Sequence, residues 1–403
     1  MKIGIDLRPL QSHNKYRGIG MYISKLVSSI SKIDSKNKYM FYIFENLDNP
    51  LDEIDLSKNI NYQIEKVKLI SISHKKYIGI LFNEFEPVKI KNNTLDVFFQ
   101  ADMQYGLPKD VKTIAIFYDL IPYYFWNRDN IYRHSGLRKA KIIFADRITR
   151  WRYLHVLSRY KKADRIIAIS ESSKNDLIKH FKSISPQRVN MALLGFDKEH
   201  EKIKKISKKQ LNKKYGINSD FLFYVGGVDL RKNIVGLAKI FFEYKIINKS
   251  NIKLVMAGKE FENRQELIDL GWYDAIKDSK YKKDIIHTGY VDDNELNALY
   301  KNAKAFVFPS LYEGFGLPVL EAMALGAPVV AFNNSSIPEV AGDAAVLCKN
   351  EKEFVEGIKK IVDDKKFTQS LIKKGYKQVK KYSWEKTAKE TLKVIEDLGN
   401  NKV

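Results

Sequence analysis

Short, continuously apolar runs alternate with helix-patterned stretches along this chain, in two successive series. The first series has its runs at 2–7, 39–44, 96–100, 113–118, 165–169 and 192–196. The second has them at 221–225, 252–257, 284–288, 305–309, 328–332 and 344–347. Runs that are apolar on both faces read as strands of a parallel sheet covered by helices on each side. Between the series, residues 199–215 are lysine-rich and carry no long apolar run, which marks a domain junction. The expected fold is α/β, with two Rossmann-like doubly wound domains, 1–200 and 201–383, facing across a cleft. A final helix in 384–403 is expected to pack back on the first domain. In such folds ligands bind at the carboxyl ends of the strands. A length of 403 residues agrees with roughly two to three domains.

Composition narrows the chemistry. The single cysteine, Cys348, excludes an internal disulfide and a Cys-rich zinc site, and fits a reducing compartment. Lys and Arg number 70 against 48 Asp and Glu, a net charge of +22. That balance suits nucleic acid, an anionic membrane or phosphorylated ligands, and equally a lysine-biased surface. Of the 13 arginines, eight fall in 128–165 (Arg128, Arg133, Arg138, Arg147, Arg150, Arg152, Arg159 and Arg165). The opening residues carry charges where a signal peptide needs an apolar stretch, and the most apolar stretch, 305–332, contains Glu313, Glu321 and three prolines. A cytoplasmic protein without a membrane-spanning helix is expected.

Four segments carry candidate chemistry. In 309–326 a strand ends at Pro309, a glycine loop follows, and a helix is expected to open at Pro318 with Glu321 in its first turn. Amides of Phe315, Gly316 and Leu317 there suit an anion, because Gly314 and Gly316 leave the backbone accessible. Carboxylates accept hydrogen bonds only, so Glu313 and Glu321 suit the paired hydroxyls of a ribose or a sugar. The combination fits a nucleotide sugar; a turn with one glutamate near the helix dipole and one in solvent is the plain alternative. The second segment, Gly226-Gly227 followed by Arg231-Lys232-Asn233, also lies at a strand-to-helix turn. Arg231 offers a two-donor grip on a diphosphate and Lys232 a point charge. An ordinary exposed basic pair reads the same way. The third is Arg17-Gly18-Ile19-Gly20, which opens a helix after the first strand but lacks the third glycine of the dinucleotide fingerprint. The fourth is Asp119, at a strand end, as a cleft carboxylate or a turn residue. No two of the seven histidines sit at helical metal-ligand spacing, and no Asp-x-Asp occurs, so no metal or other cofactor is expected.

Together these residues resemble the family-4 retaining glycosyltransferases of the GT-B fold over nearly the whole chain. Glu313 and Glu321 match that family's E-x7-E pair, and Gly226-Gly227 with Arg231-Lys232-Asn233 looks like its diphosphate loop. His287-Thr288-Gly289-Tyr290-Val291 resembles the strand end lining the base pocket, with Val291 near the base. Residues 1–8 and Gly18-Ile19-Gly20 are similar to the family's opening strand and glycine loop. The resemblance implies catalytic roles for Glu313 and Asp119. It implies donor contacts from Gly18, Gly20, Gly227, Arg231, Lys232, Val291, Gly314, Phe315, Gly316, Leu317 and Glu321. Tyr118 stands where many members have histidine. The pattern is most similar to bacterial mannosyl- and rhamnosyltransferases of cell-surface polysaccharide assembly. It implies a nucleoside-diphosphate sugar as donor, GDP-mannose favoured over UDP- or dTDP-sugars. The acceptor would be a glycan or lipid-linked glycan met by the first domain.

The arginine segment interleaves Phe144, Trp151, Tyr153 and Tyr160 with its cations. That pattern suits peripheral contact with an anionic membrane at the inner face, a subunit contact, an acidic polysaccharide, or simply a solvated helix face. A nucleic-acid binder would use the charge, but no nucleic-acid motif occurs, so none is expected as partner. A non-catalytic glycan binder would have no need of the two carboxylates. Oligomeric state is not legible here.

Overall fold

The computed structural model describes residues 1–16, 18–68, 87–90, 94–125, 136–196 and 206–401. Arg17, Arg128, Arg133 and the first part of the expected junction lie outside them. The chain forms two units, one of 1–123, 148–195 and 382–403, the other of 124–147 and 196–381. Phe196 groups with the second unit, as do the described residues of 124–147.

The first unit is built on seven parallel strands. In chain order its elements are β1 (Lys2–Asp6), α1 (Gly18–Ile33), β2 (Lys38–Phe44), β3 (Asn61–Val67), β4 (Val97–Gln100), β5 (Lys112–Phe117), α2 (Gly136–Ser158), β6 (Arg165–Ala168), α3 (Glu171–His180) and β7 (Val189–Met191). The strand order is β3-β2-β1-β4-β5-β6-β7. Helix α2 runs across the boundary of the two units. Strand β3 has no counterpart among the apolar runs of the sequence. It lies at the sheet edge, where one side needs no cover, so its mixed Asn-Tyr-Gln-Ile-Glu-Lys-Val can pair with β2 and stay largely exposed. The run at 192–196 is not a strand. The last strand sits earlier, at Val189–Met191, and beyond it the backbone turns to meet another helix: Thr387 Oγ1 donates to the Leu193 carbonyl at 2.6 Å.

The second unit has six parallel strands: β8 (Phe221–Val225), α4 (Ile234–Asn248), β9 (Lys253–Ala257), β10 (Ile285–Gly289), α5 (Asp293–Asn302), β11 (Ala305–Phe308), α6 (Leu317–Ala324), β12 (Val329–Phe332) and β13 (Ala345–Cys348), in the order β10-β9-β8-β11-β12-β13. Most of helix α4 is apolar and buried: Ile234, Leu237, Ile240 and Phe241 join Leu254, Val307 and Phe354 in one core, while Lys239, Glu243, Ile246 and Ile247 form an exposed stripe. The closing helix, α7 (Trp384–Gly399), belongs to the first unit. Its Ser383 cap bonds Lys386 N, Trp384 meets Tyr22 of α1 edge-on at 5.8 Å, and Lys112 Nζ bonds the Leu398 carbonyl at 3.0 Å.

In each sheet the strand order reverses at its first strand. β1 lies between β2 and β4, and β8 between β9 and β11. The connections after those strands diverge to opposite faces, so a crevice opens at their carboxyl ends. In the first unit a buried polar network occupies this place. Arg8 closes on Asp6 through two bonds, Nε–Oδ1 at 2.8 Å and Nη2–Oδ2 at 2.7 Å, and its guanidinium lies 4.8 Å from the Tyr105 ring. Asn14 Nδ2 donates to Asp102 at 2.8 Å, and burial pushes the Asp102 carboxyl up to about 6.

Candidate functional site

The candidate site lies at the switch point of the second sheet, where the loops after β8 and β11 meet. Strand β8 is apolar until Val225, then breaks at Gly226, whose φ of 152° is available to glycine. Tyr224, buried in the same strand, turns its hydroxyl back to the Gly227 carbonyl at 2.8 Å and fixes the loop. A short 3-10 turn, Leu230–Lys232, follows, and Asn233 starts α4 from a left-handed conformation. Two bonds stitch this turn to the loop after β11. Leu311 N donates to the Arg231 carbonyl at 2.7 Å, and Asn233 Nδ2 to the Pro309 carbonyl at 3.3 Å.

That stitching brings three charged side chains together. Arg231 Nη1 and Lys232 Nζ each lie 2.7 Å from a different oxygen of Glu313. Asp229 holds Arg231 Nε at 3.2 Å, and Lys232 Nζ sits 5.3 Å from the Phe308 ring centre. Glu313 and Lys232 are each only 8% exposed. Burial pushes the Glu313 carboxyl up, but Lys232 and Arg231 outweigh it and hold the group below its usual range, so it stays ionised. The two cations exceed the one carboxylate between them by one charge, or balance once Asp229 is counted.

The loop that carries Glu313 is held from β12. Glu313 N donates to Ser335 Oγ at 2.9 Å, and the Ser336 hydroxyl lies 2.9 and 2.7 Å from the carbonyls of Glu313 and Phe315. Gly314 and Phe315 are buried. Gly316 precedes α6 at φ 106°, where a Cβ would stand 2.6 Å from Ile337 Cδ1. The helix opens at Leu317 with Pro318 second, one residue earlier than expected. Glu321 is consequently its fifth residue and lies beyond the first turn. Its Oε2 accepts from the buried Tyr300 hydroxyl of α5 at 2.9 Å.

Val291 follows β10, two strands from β8 on the same carboxyl edge, which is about 10 Å at ordinary strand spacing. The turn before it needs Gly289, at φ 68°, because Glu262 lies over that Cα and accepts from Tyr290 N at 3.1 Å. His287 stacks on Phe261 at 4.9 Å with part of its ring exposed, and the desolvation on its covered side lowers its pKa. The remaining sequence candidates belong to the first unit. Gly18 opens α1. Gly20 packs against the carbonyls of Asn14 and Lys15, so closely that no Cβ fits. Asp119 follows β5, where its Oδ1 caps Ile121 N at 2.8 Å and its carbonyl accepts from Tyr153. The neighbouring Tyr118 has a buried hydroxyl and meets Tyr22 edge-on at 5.6 Å.

Sequence reading missed Tyr224, Asp229, Tyr300, Ser335 and Ser336. The polar run Asn333-Asn334-Ser335-Ser336 directly after an apolar strand was the one available signal, since strand ends at this edge face a crevice.

Comparison with known proteins adds the family. Residues 207–378, which contain the whole cluster, match the model of glycosyl transferases group 1. The serotype-specific mannosyltransferase WbdA of Escherichia coli is 27% identical over 96% of this chain and 47% of its own length. The O-antigen chain mannosyltransferase B of Escherichia coli is 29% identical over 57% of this chain and 60% of its own. The matches thus span less than two thirds of the length of these curated relatives. Among solved structures, sucrose-phosphate synthase from Thermosynechococcus elongatus superposes over 100% of both chains with a TM-score of 0.67 at 14% identity, a likeness of fold. The chain therefore has the GT-B fold and carries, over residues 207–378, a glycosyl transferases group 1 domain.

Proposed function

We propose that the protein is a retaining, metal-independent hexosyltransferase that moves mannose from GDP-mannose to a hydroxyl of a glycan or lipid-linked glycan in cell-surface polysaccharide synthesis. The observation that carries this reading is the Arg231–Lys232–Glu313 cluster at the switch point of the group 1 domain. The choice of mannose rests on the mannosyltransferases among the relatives. Arg231 and Lys232 neutralise the leaving diphosphate, the task a metal ion performs elsewhere. The ribose hydroxyls bind Glu321, whose carboxylate Tyr300 orients. The sugar–phosphate bond breaks through an oxocarbenium-like state, and the departing phosphate oxygen takes the acceptor's proton. The new bond forms on the same face of the sugar, so configuration is retained.

Thermal unfolding with GDP, UDP, dTDP and ADP, each with and without EDTA, tests the donor. GDP at about 100 times its dissociation constant should stabilise by about 2.7 kcal/mol, unchanged by EDTA. Loss of that shift in Glu321→Ala is expected as well. A shift with UDP alone, or one abolished by EDTA, would overturn the donor or the metal-free reading.

The protein would work in the cytoplasm against the inner membrane face. Helix α2 supports this: Phe144 and Trp151, seven residues apart, are 67% and 59% exposed, with exposed Arg147 between them. No helix among the described residues is long and apolar enough to cross a membrane. Flotation with vesicles containing about one third anionic lipid should carry the protein upward, and Trp151→Ala should weaken that. Equal flotation with neutral vesicles would sink the electrostatic part.

A further inference from the structure

Left-handed backbone stands on both flanks of the loop that carries Glu313. Outside glycine, the described residues with positive φ are Asp110, Asn233, Lys249, Ser335 and Asn401. Two of these five bond to the same loop, 309–316. Asn233, at φ 53°, donates to the Pro309 carbonyl, and Ser335, at φ 46°, accepts from Glu313 N. Asparagine tolerates that conformation, because its short side chain bonds locally. Serine has no such ease, and glycine would take the same backbone freely. A side chain kept in a sparsely populated region marks a place that the surrounding structure needs, and functional sites are where such residues gather.

What the serine supplies is its hydroxyl. Strands β11 and β12 are neighbours, so the turn after β12 lies beside the loop after β11. Ser335 Oγ accepts from Glu313 N at 2.9 Å and donates to Asn334 Oδ1 at 3.2 Å, while Asn334 Nδ2 donates to the Ser310 carbonyl at 3.0 Å. Ser336 has a different task. Its buried hydroxyl reaches the carbonyls of Glu313 and Phe315, and so fastens the far end of the loop. Ser335 instead fixes the amide of the residue whose carboxylate oxygens stand 2.7 Å from Arg231 and from Lys232. Fixing that peptide plane fixes the direction in which the Glu313 side chain leaves the backbone. A glycine at 335 would relax the turn and lose this bond, so the hydroxyl is what the strained position retains.

We propose that Ser335 is a positioning residue for sugar transfer: its left-handed backbone aims the hydroxyl at Glu313 N and thereby sets the Glu313 carboxylate between Arg231 and Lys232. The role rests on the transferase reading above. Two variants of the full chain test it. Ser335→Ala removes the hydroxyl and keeps the unfavourable backbone, whereas Ser335→Gly removes the hydroxyl and relieves the backbone. Hydrogen exchange of the Glu313 amide, followed by NMR, should speed up about tenfold in both, the scale of one lost hydrogen bond. In transfer from GDP-mannose to mannotriose, kcat and kcat/KM should fall together by about 10- to 100-fold, the scale of a reacting group slightly misplaced. The glycine variant should melt above the alanine variant and yet be no more active. The proposal is overturned if either variant keeps the wild-type kcat, if exchange at Glu313 is unchanged, or if the glycine variant regains activity along with stability, which would make Ser335 a structural residue only. A wild type that transfers from no nucleotide sugar would remove the transferase reading instead. Exchange at Glu313 then decides alone: faster exchange in both variants keeps Ser335 as the residue that places Glu313, and unchanged exchange removes it.

Discussion

Glu313→Gln is expected to lower the turnover of sugar transfer by about 10² to 10³-fold, the usual scale for one lost electrostatic group in a reaction centre. The side chains have nearly the same shape, so the loop held by Ser335 and Ser336 keeps its course. What changes is charge. The two 2.7 Å contacts from Arg231 and Lys232 end on separate carboxylate oxygens, and glutamine can accept only one of them. Its amide would turn N–H groups toward the other cation. The two cations then lose both their spacing and their counter-charge, and the leaving diphosphate meets them out of register. A loss of about 1–3 kcal/mol in stability is expected alongside, from the buried donor left without a partner. Steady-state kinetics with the folded variant read the effect. Near-normal kcat would make the cluster a structural ion pair and remove Glu313 from the chemistry.

Arg8→Met should destabilise the first unit by about 3–5 kcal/mol, because it strands the buried Asp6 carboxylate without a counter-charge. Arg8 is 2% exposed, bonded twice to Asp6 and stacked near Tyr105, so no water can take its place. For a unit of this size the melting temperature of its transition should fall by roughly 10 °C. Replacing both partners, Asp6→Asn with Arg8→Met, should recover much of the loss, since no unpaired charge then remains. Calorimetry on the single and double variants measures this; additive losses would show that the pair is not coupled. The pair lies at the same crevice position in the first sheet as the Arg231–Lys232–Glu313 cluster does in the second. In the first unit it is sealed in bidentate form. In the second the cations share one carboxylate with a glycine loop beside them.

How much of this was legible beforehand depends on how local each signal is. Strands buried on both faces announce themselves, and β1, β2, β4 to β6 and β8 to β13 lie within a residue or two of their apolar runs. Strand β3 did not, because its apolar Tyr62, Ile64 and Val67 are interrupted by polar residues and form no continuous apolar run, yet as an edge strand it still forms its ladder with β2. The run at 192–196 misled for the opposite reason: Leu194 and Phe196 are buried without any ladder of their own. Helix α6 was placed to within a residue, but nothing local in the sequence pointed to the Tyr300 hydroxyl that Glu321 accepts from.

The sequence alone determined the two doubly wound sheets, their strand ends, and the glycine and charged residues that stand at those ends. Those features are written in runs of a few residues, and a period and a turn suffice to read them. Only the tertiary structure decided that Glu313 grips Arg231 and Lys232, residues more than 80 positions earlier, or that Ser335 and Tyr300 hold the two glutamates. Strand order is the physical reason. β8 and β11 are neighbours although two strands separate them along the chain, and the partners of a carboxylate at such a crevice are set by which loops the sheet places side by side.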